Sequence, residues 1–128
     1  MKKTDEQWRQ ELSDEQYAVL REKATEAPFS GEYDRLFADG KYLCAGCGAE
    51  LFDSETKFEA HCGWPSFFDA RHGAVDFVND TSHSVERTEV VCSTCGGHLG
   101  HVFEGENFAT PTDQRYCINS LSLKFKQE

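Results

Sequence analysis

The chain has 128 residues, and its 13 basic and 23 acidic residues give a formal net charge of −10. A chain this acidic repels a phosphate backbone, which argues against nucleic-acid binding as its role. Its charged N-terminal segment does not resemble a signal peptide, and no apolar run reaches the length of a membrane span. We therefore expect a cytoplasmic protein that contacts no membrane, a monomer, with one domain over residues 1–128.

The N-terminal part of the chain, from residue 4 to about residue 26, predicts two short helices. Thr4 with Gln7 and Ser13 with Gln16 each fit a capping box, in which the two side chains bond to each other's backbone N–H groups. Each predicted helix is only modestly amphipathic, so we expect the two helices to pack on the outside of a sheet. No functional signal precedes Lys41.

A β core is predicted from about residue 41 to about residue 126. Short runs of aromatic and β-branched residues alternate there with glycine, Asp and Asn, which is typical of strands joined by tight turns. The longest predicted strands are Ala74–Val78, Val85–Val91, Leu99–Phe103 and Arg115–Phe125. Many short strands of this kind indicate a sandwich or a barrel and not a parallel α/β sheet.

Four of the six cysteines form two Cys-x-x-Cys pairs, Cys44 with Cys47 and Cys92 with Cys95. Two such pairs can bring four thiolates into a tetrahedron, the usual arrangement of a structural zinc site, and four protein ligands leave no open position for a substrate. Iron can also be held by four sulfurs. A redox role for either pair is less favoured, because neither is followed by a helical pattern. We predict one structural zinc ion.

The predicted strand at Arg115 carries a polar group of residues at one end. Period-two geometry places Arg115, Cys117 and Asn119 on one face, and continues that face through apolar residues as far as Phe125. A free cysteine in such a strand is commonly a small buried hydrophobe. The alternative is that Cys117 lies where a packed sheet opens into a site.

Cys62 and Cys117 remain once the four predicted metal ligands are assigned. One thiol on a strand and one in a glycine-flanked loop can act as a nucleophile and a resolving thiol, the first oxidised to sulfenic acid and the second condensing with it to a disulfide. Arg115 would favour the thiolate of Cys117. His98 or His101 could supply a proton to a leaving oxygen.

Two other kinds of protein remain compatible with these residues. One is a thiol hydrolase that uses Cys117 with His98 or His101 and has no need of a resolving thiol. The other is a non-catalytic, zinc-stabilised β module that binds a protein partner. A variant without Cys62 separates the hydrolase from a protein that pairs a nucleophile with a resolving thiol, and a variant without Cys117 separates catalysis from binding.

Three segments together resemble the B-type peptide-methionine sulfoxide reductases: Gly63–Phe67, His98–Phe103 and Arg115–Ser120. The two Cys-x-x-Cys pairs match the zinc-containing members of that family, and the resemblance covers about residue 4 to residue 126. The chain departs from the family pattern at His61 and in the stretch from Glu104 to Gln114.

The resemblance implies an enzyme that reduces the R epimer of methionine sulfoxide in oxidised proteins or peptides. Cys117 matches the nucleophile that is left as a sulfenic acid, Cys62 matches the resolving cysteine, and thioredoxin reduces the resulting disulfide. The implied fold is mainly β, with two antiparallel sheets in a barrel-like, tent-shaped arrangement, short N-terminal helices packed outside and a zinc site made by four cysteines.

The resemblance also implies roles for further residues. The remaining catalytic residues are His98, His101 and Asn119; Trp64, Arg115 and Phe103 bind the substrate, with Trp64 holding its methyl group; and the metal ligands are Cys44, Cys47, Cys92 and Cys95.

Overall fold

The computed structural model of the chain describes residues 4–27, 31, 33, 38–58, 63–80, 87–104 and 110–127. Within these residues the chain is mainly β, as predicted, with two helices, nine strands and two 3-10 turns. In chain order these are α1 (Asp5–Glu11), α2 (Asp14–Glu22), β1 (Gly40–Cys44), β2 (Glu50–Asp53), a 3-10 turn (Ser54–Thr56), β3 (Lys57–Phe58), β4 (Ser66–Phe67), β5 (Val75–Asp80), β6 (Arg87–Cys92), β7 (His98–Glu104), β8 (Gln114–Ile118), a second 3-10 turn (Ser120–Ser122) and β9 (Leu123–Gln127).

The two predicted helices are present, and both begin with the expected capping boxes. The side chains of Thr4 and Ser13 accept hydrogen bonds from the backbone of the glutamine three residues later. Helix α2 ends at Glu22, because Lys23 adopts the left-handed conformation (φ 62°) and its N–H bonds to the carbonyl of Ala18. The helical region is therefore shorter than predicted, and residues 23–27 leave α2 as a non-helical segment.

The strands form two antiparallel sheets, as predicted. The smaller sheet has the order β2-β1-β9, and the larger has the order β3-β4-β8-β7-β6-β5. Neither sheet closes on itself within the described residues, so the barrel-like arrangement is two open sheets and not a closed barrel. Strands β3 and β5 are the edges of the larger sheet, and β8, β7 and β6 form its centre.

The prediction of a single strand over Arg115–Phe125 is wrong. The structure divides this range into β8 and β9, which belong to different sheets, with the turn at Ser120–Ser122 between them. The turn forms because the N–H of Leu123 bonds to the carbonyl of Ser120 and the N–H of Asn119 bonds to the carbonyl of Leu99. The face that carries Cys117 therefore does not continue into β9.

The core lies between the two sheets and is built from aromatic side chains. Phe52 of the smaller sheet stacks on Phe67 of the larger, with ring centroids 4.3 Å apart, and also meets the edge of Tyr116 at 5.8 Å. Tyr42 meets Phe67 edge-on at 5.1 Å. Aromatic pairs in these geometries each add about 0.5–1.5 kcal/mol to the free energy gained by burial, so they fix how one sheet lies on the other.

The helices cover one side of this core. Trp8 of α1 and Leu20 of α2 are buried, and α2 packs against β7 and the turn at Ser120–Ser122. Because α2 packs on β7, the segment that follows α2 begins beside the larger sheet. Neither helix of the described part of the chain has the length and apolar character that a membrane crossing requires.

Candidate active site and metal centre

A cavity of about 190 Å³ opens at the central strands of the larger sheet. It is smaller than the roughly 300–1,000 Å³ of sites for drug-sized ligands, and so fits a side chain. Among the described residues, six that were predicted for the site line this cavity together with three that were not predicted: Trp64, His101, Phe103, Arg115, Cys117 and Asn119, with Thr25, Arg87 and Gly100.

Strand register places Cys117 of β8 directly opposite His101 of β7. Side chains of directly paired residues lie on the same face of a sheet, with Cβ atoms about 4.5–5.5 Å apart, so the thiol and the imidazole are neighbours in the cavity. The next pair on that face is Phe103 with Arg115, whose guanidinium carbon lies 4.5 Å from the centre of the Phe103 ring. This stack forms one wall of the cavity.

His98 reaches the same face through an irregularity in strand pairing. Val90 pairs with Gly100 and Val91 with His98, so Leu99 is an extra residue that forms a β-bulge. The bulge brings the rings of His98 and His101 together, with centroids 5.6 Å apart. Unlike His101, His98 does not line the cavity that the described residues define.

His98 is buried and hydrogen-bonded to a carboxylate. Its Nδ1 lies 2.7 Å from Oε2 of Glu89, which is itself 2% exposed, and the other oxygen of Glu89 accepts from Nζ of Lys23 at 3.2 Å. Burial lowers the pKa of His98 below its ordinary value, and the hydrogen bond to Glu89 only partly opposes this. The ring is accordingly neutral near pH 7, with Nδ1–H donating to Glu89.

His101 is also anchored by a carboxylate. Its Nε2 lies 2.8 Å from Oδ2 of Asp80, at the end of edge strand β5. The same oxygen accepts a hydrogen bond from Nη2 of Arg87, which is 3.3 Å away. Both histidines therefore have a carboxylate partner, and each partner comes from a strand outside the sequence motifs.

The segment after α2 forms a further wall, and Glu26 holds it in place. The backbone N–H of Glu26 donates to Oδ1 of Asn119 at 3.0 Å, and its carbonyl accepts from the indole Nε1 of Trp64 at 3.0 Å. Its carboxylate accepts from the N–H of Leu121 at 2.9 Å. Thr25 is thus placed at the cavity.

The amide of Asn119 bridges this wall to β7. Its Nδ2 donates to the carbonyl of Leu99 at 3.0 Å, while its Oδ1 accepts from Glu26. Because the side chain is 3% exposed, these two bonds hold the turn after β8, the bulge and the wall segment together. The sequence predicts a helix up to about residue 26, and no motif indicates this wall.

The four cysteines of the two Cys-x-x-Cys pairs meet at the ends of β1 and β6. Their sulfur atoms all lie within 4.8 Å of one another, with 3.7 Å between Cys44 and Cys95 and 3.6 Å between Cys47 and Cys92. A tetrahedral zinc ion with sulfur ligands at about 2.3 Å requires sulfurs about 3.8 Å apart. These residues therefore fit a structural metal ion.

The charges of the cluster also favour a cation. Hydrogen bonds to Cys92 and Cys95, followed by burial, raise the pKa of the Cys44 thiol, and hydrogen bonds from Cys44 and Cys95 lower the pKa of Cys92. Without a cation, four close sulfurs share protons in this way, because several thiolates cannot lie side by side in a buried site. A divalent ion would take the place of those protons.

Comparison with known proteins decides the family. The model of the SelR domain matches residues 12–127. The chain belongs to the peptide methionine sulfoxide reductase B family. It is 55% identical over 126 residues to peptide methionine sulfoxide reductase B2, chloroplastic, of Arabidopsis thaliana and 53% identical over 123 residues to peptide methionine sulfoxide reductase B5 of Oryza sativa subsp. japonica. These alignments cover 98% and 96% of the chain.

Membership of the peptide methionine sulfoxide reductase B family confirms the predicted resemblance and the predicted class of enzyme, an oxidoreductase acting on methionine sulfoxide. The chain spans 61% of the length of the Arabidopsis relative and 89% of that of the rice relative. The first of these relatives is named as chloroplastic, so the expected cytoplasmic location stays a prediction.

Two of the residues discussed from sequence fall in the stretch 59–62. Cys62 and His61 lie outside the residues that the structure describes. The pairing of Cys62 with Cys117 therefore stays a prediction, as do the roles of the residues around the cavity.

Proposed function

We propose that the chain reduces the R epimer of methionine sulfoxide in oxidised proteins or peptides, with Cys117 as the nucleophile. The observation that carries this proposal is the position of Cys117 in a cavity of side-chain size, directly across the sheet from His101. A thiol and an imidazole on one face can exchange a proton, and such a pair is the arrangement that activates a cysteine.

The chain's own residues supply the parts of the reaction. The indole ring of Trp64 receives the methyl group, whose carbon carries partial positive charge and is suited to an aromatic face. The sulfur of Cys117 attacks the sulfoxide sulfur and takes over the oxygen, so the substrate sulfur gains two electrons and leaves as a thioether. A histidine protonates the oxygen, and Cys117 becomes a sulfenic acid.

Arg115 and Phe103 form the wall beside Cys117 and bind the substrate. Asn119 and His98 support catalysis: Asn119 through its bonds to Glu26 and Leu99, and His98 through its ring contact with His101. Cys62 then condenses with the sulfenic acid and releases water, which leaves a Cys62–Cys117 disulfide. Thioredoxin reduces this disulfide. The protein works as a cytoplasmic monomer, and one zinc ion held by Cys44, Cys47, Cys92 and Cys95 supplies structural stability.

The proposal is tested by a single-turnover assay with both epimers of a methionine sulfoxide peptide, reduced protein and no external thiol. We expect about one methionine per protein from the R epimer alone, a Cys62–Cys117 disulfide by mass spectrometry, and one zinc ion by metal analysis. The matched control is Cys117→Ser, which should form no methionine while keeping its metal. Metal-loaded wild-type protein that forms no methionine from either epimer would overturn the proposal and favour a binding module.

The Cys62→Ser variant tests the recycling step. It should still complete one turnover and then stop, because the sulfenic acid has no thiol partner in the chain for thioredoxin to act through. An unchanged multiple-turnover rate with thioredoxin would contradict the role of Cys62.

A further inference from the structure

We infer that Asp80 is the positioning residue of the reaction: it holds His101 in the tautomer that carries its proton on Nε2 and so leaves Nδ1 to exchange a proton with Cys117. The chemical part of this inference rests on the proposed function, whereas the tautomer itself does not. Asp80 lies in no motif of the sequence, and strand pairing alone brings it to the site.

The hydrogen bond between His101 and Asp80 sets the tautomer. A carboxylate oxygen accepts, so a ring nitrogen 2.8 Å away donates to it, and the proton of a neutral imidazole then resides on Nε2. The side chains of His101 and Asp80 are 14% and 17% exposed, so little water competes for this bond. The tautomer of a histidine is fixed by the bond that its other nitrogen makes.

Asp80 is itself held from the neighbouring strand. It pairs with Arg87 across β5 and β6, and Nη2 of Arg87 donates to the same oxygen that His101 contacts. Since Arg87 also lines the cavity, this ion pair fixes the carboxylate at the rim. The carboxylate can therefore hold the imidazole ring at one angle beside the thiol.

The proton balance of the proposed reaction follows from this geometry. Nδ1 of His101 accepts the proton of the Cys117 thiol, and the thiolate attacks the sulfoxide sulfur. The oxygen passes to the sulfur of Cys117, and the substrate sulfur loses both its bond to that oxygen and the bond formed by the attack. Nδ1–H returns the proton to the oxygen, so Cys117 is oxidised by two electrons and the substrate sulfur is reduced by two. The products are a sulfenic acid and a thioether, and His101 ends in the tautomer in which it began.

The first test measures the tautomer directly and needs no activity. Nitrogen-15 NMR of the ring nitrogens, with His101→Gln used to assign the signal, is recorded on reduced, metal-loaded protein at about pH 8, above the ordinary histidine pKa of about 6.5. We expect a protonated Nε2 in the wild type, a changed tautomer in Asp80→Asn, and the wild-type pattern in Asp80→Glu. A wild-type His101 with its proton on Nδ1 would overturn the inference even if no variant folded.

The second test asks whether Asp80 acts through His101. We expect Asp80→Asn to slow the single-turnover step by about 10²-fold, in the lower range of what general acid–base catalysis contributes, and to add no loss in a His101→Gln background. The control is Asp76→Asn, the same change on the exposed part of the same strand, which should leave the rate within about twofold. A loss of equal size in both backgrounds would contradict the inference.

Discussion

At the scale of single residues, burial and a carboxylate have opposite effects on the pKa of His98. Burial lowers the pKa of His98, and its bond to Glu89 opposes that shift without reversing it. The folded protein therefore binds a proton at His98 less readily than the unfolded chain does. Between the lowered folded pKa and the ordinary value of 6.5, the unfolded state holds more protons, and stability rises with pH.

We predict that the free energy of unfolding falls as the pH is lowered below about 6.5, and that this fall is smaller in His98→Gln. The stability conferred by a neutral His98 is fully present above about pH 6.5 and is lost toward the lowered folded pKa. Denaturant unfolding of metal-loaded protein at a series of pH values measures the difference. The exposed His72 provides the control variant, His72→Gln. Equal pH slopes in wild type and His98→Gln would contradict the prediction.

At this scale, the site residues that could be predicted from the sequence are those that lie in a local motif. Cys117, His101 and Trp64 each lie in a short recognisable segment, and the structure brings all three to one cavity. Asp80 and Glu89 could not be found in the same way, because their contacts with the histidines depend on strand register and on the bulge at β7. An acidic residue in a strand of an acidic chain carries no local signal of such a contact.

At the scale of secondary-structure elements, the close approach of β7 and β8 depends on Gly100. A Cβ atom added to Gly100 would overlap the carbonyl oxygen of Cys117 and lie 3.0 Å from Cα of Ile118. Both obstacles are backbone atoms, so no side chain can move away to make room. The strand that carries Cys117, the proposed nucleophile, would have to shift.

We predict that Gly100→Ala destabilises the protein by at least about 3 kcal/mol, the upper range for an overpacked core, and slows the single-turnover step. The control is Gly73→Ala, where the added atom meets open space and only the positive φ of 74° is unfavourable, at about 1–2 kcal/mol. Chemical denaturation compares the two variants. A Gly100→Ala variant as stable as Gly73→Ala would show that the strands can separate at little cost.

The division of β8 from β9 could not be predicted from the alternation of polar and apolar residues. The sequence Ser120-Leu121-Ser122 alternates polar and apolar residues just as a strand does, and it contains neither glycine nor proline. The 3-10 turn there is held by Asn119 and by contact with α2, which are tertiary features. The helix starts, in contrast, were predictable because capping boxes are local.

At the scale of the whole molecule, the cysteine cluster joins the two sheets. Cys44 ends β1 of the smaller sheet, and Cys92 ends β6 of the larger. Arg21 of α2 donates to the carbonyl of Cys95 at 3.1 Å and lies 5.0 Å from the Trp8 ring. The cluster therefore connects both sheets and both helices, and α2 continues from it to the wall of the cavity.

We predict that Cys44→Ser, or treatment with a strong chelator, releases the metal and unfolds the domain. Binding of a structural zinc ion contributes roughly 10–16 kcal/mol, which is as large as the total stability of a typical domain, about 5–15 kcal/mol. Metal analysis and thermal unfolding provide the measurement. Cys117→Ser is the control and should keep both metal and melting temperature. A metal-free Cys44→Ser variant that melts like the wild type would rule out a structural role.

The bond from the indole of Trp64 to the carbonyl of Glu26 bears on the handedness of the substrate. The sulfur of a sulfoxide is a stereocentre, and its mirror-image forms differ in whether methyl or oxygen faces a given wall. An indole has one N–H, and here it is already donated. Under the proposed roles, the wrong epimer turns its oxygen toward a ring face and loses a hydrogen bond of about 1–3 kcal/mol, which corresponds to a rate lower by about fivefold to 160-fold. Trp64 then discriminates between the epimers because its N–H is bonded to Glu26 and is not offered to the sulfoxide oxygen.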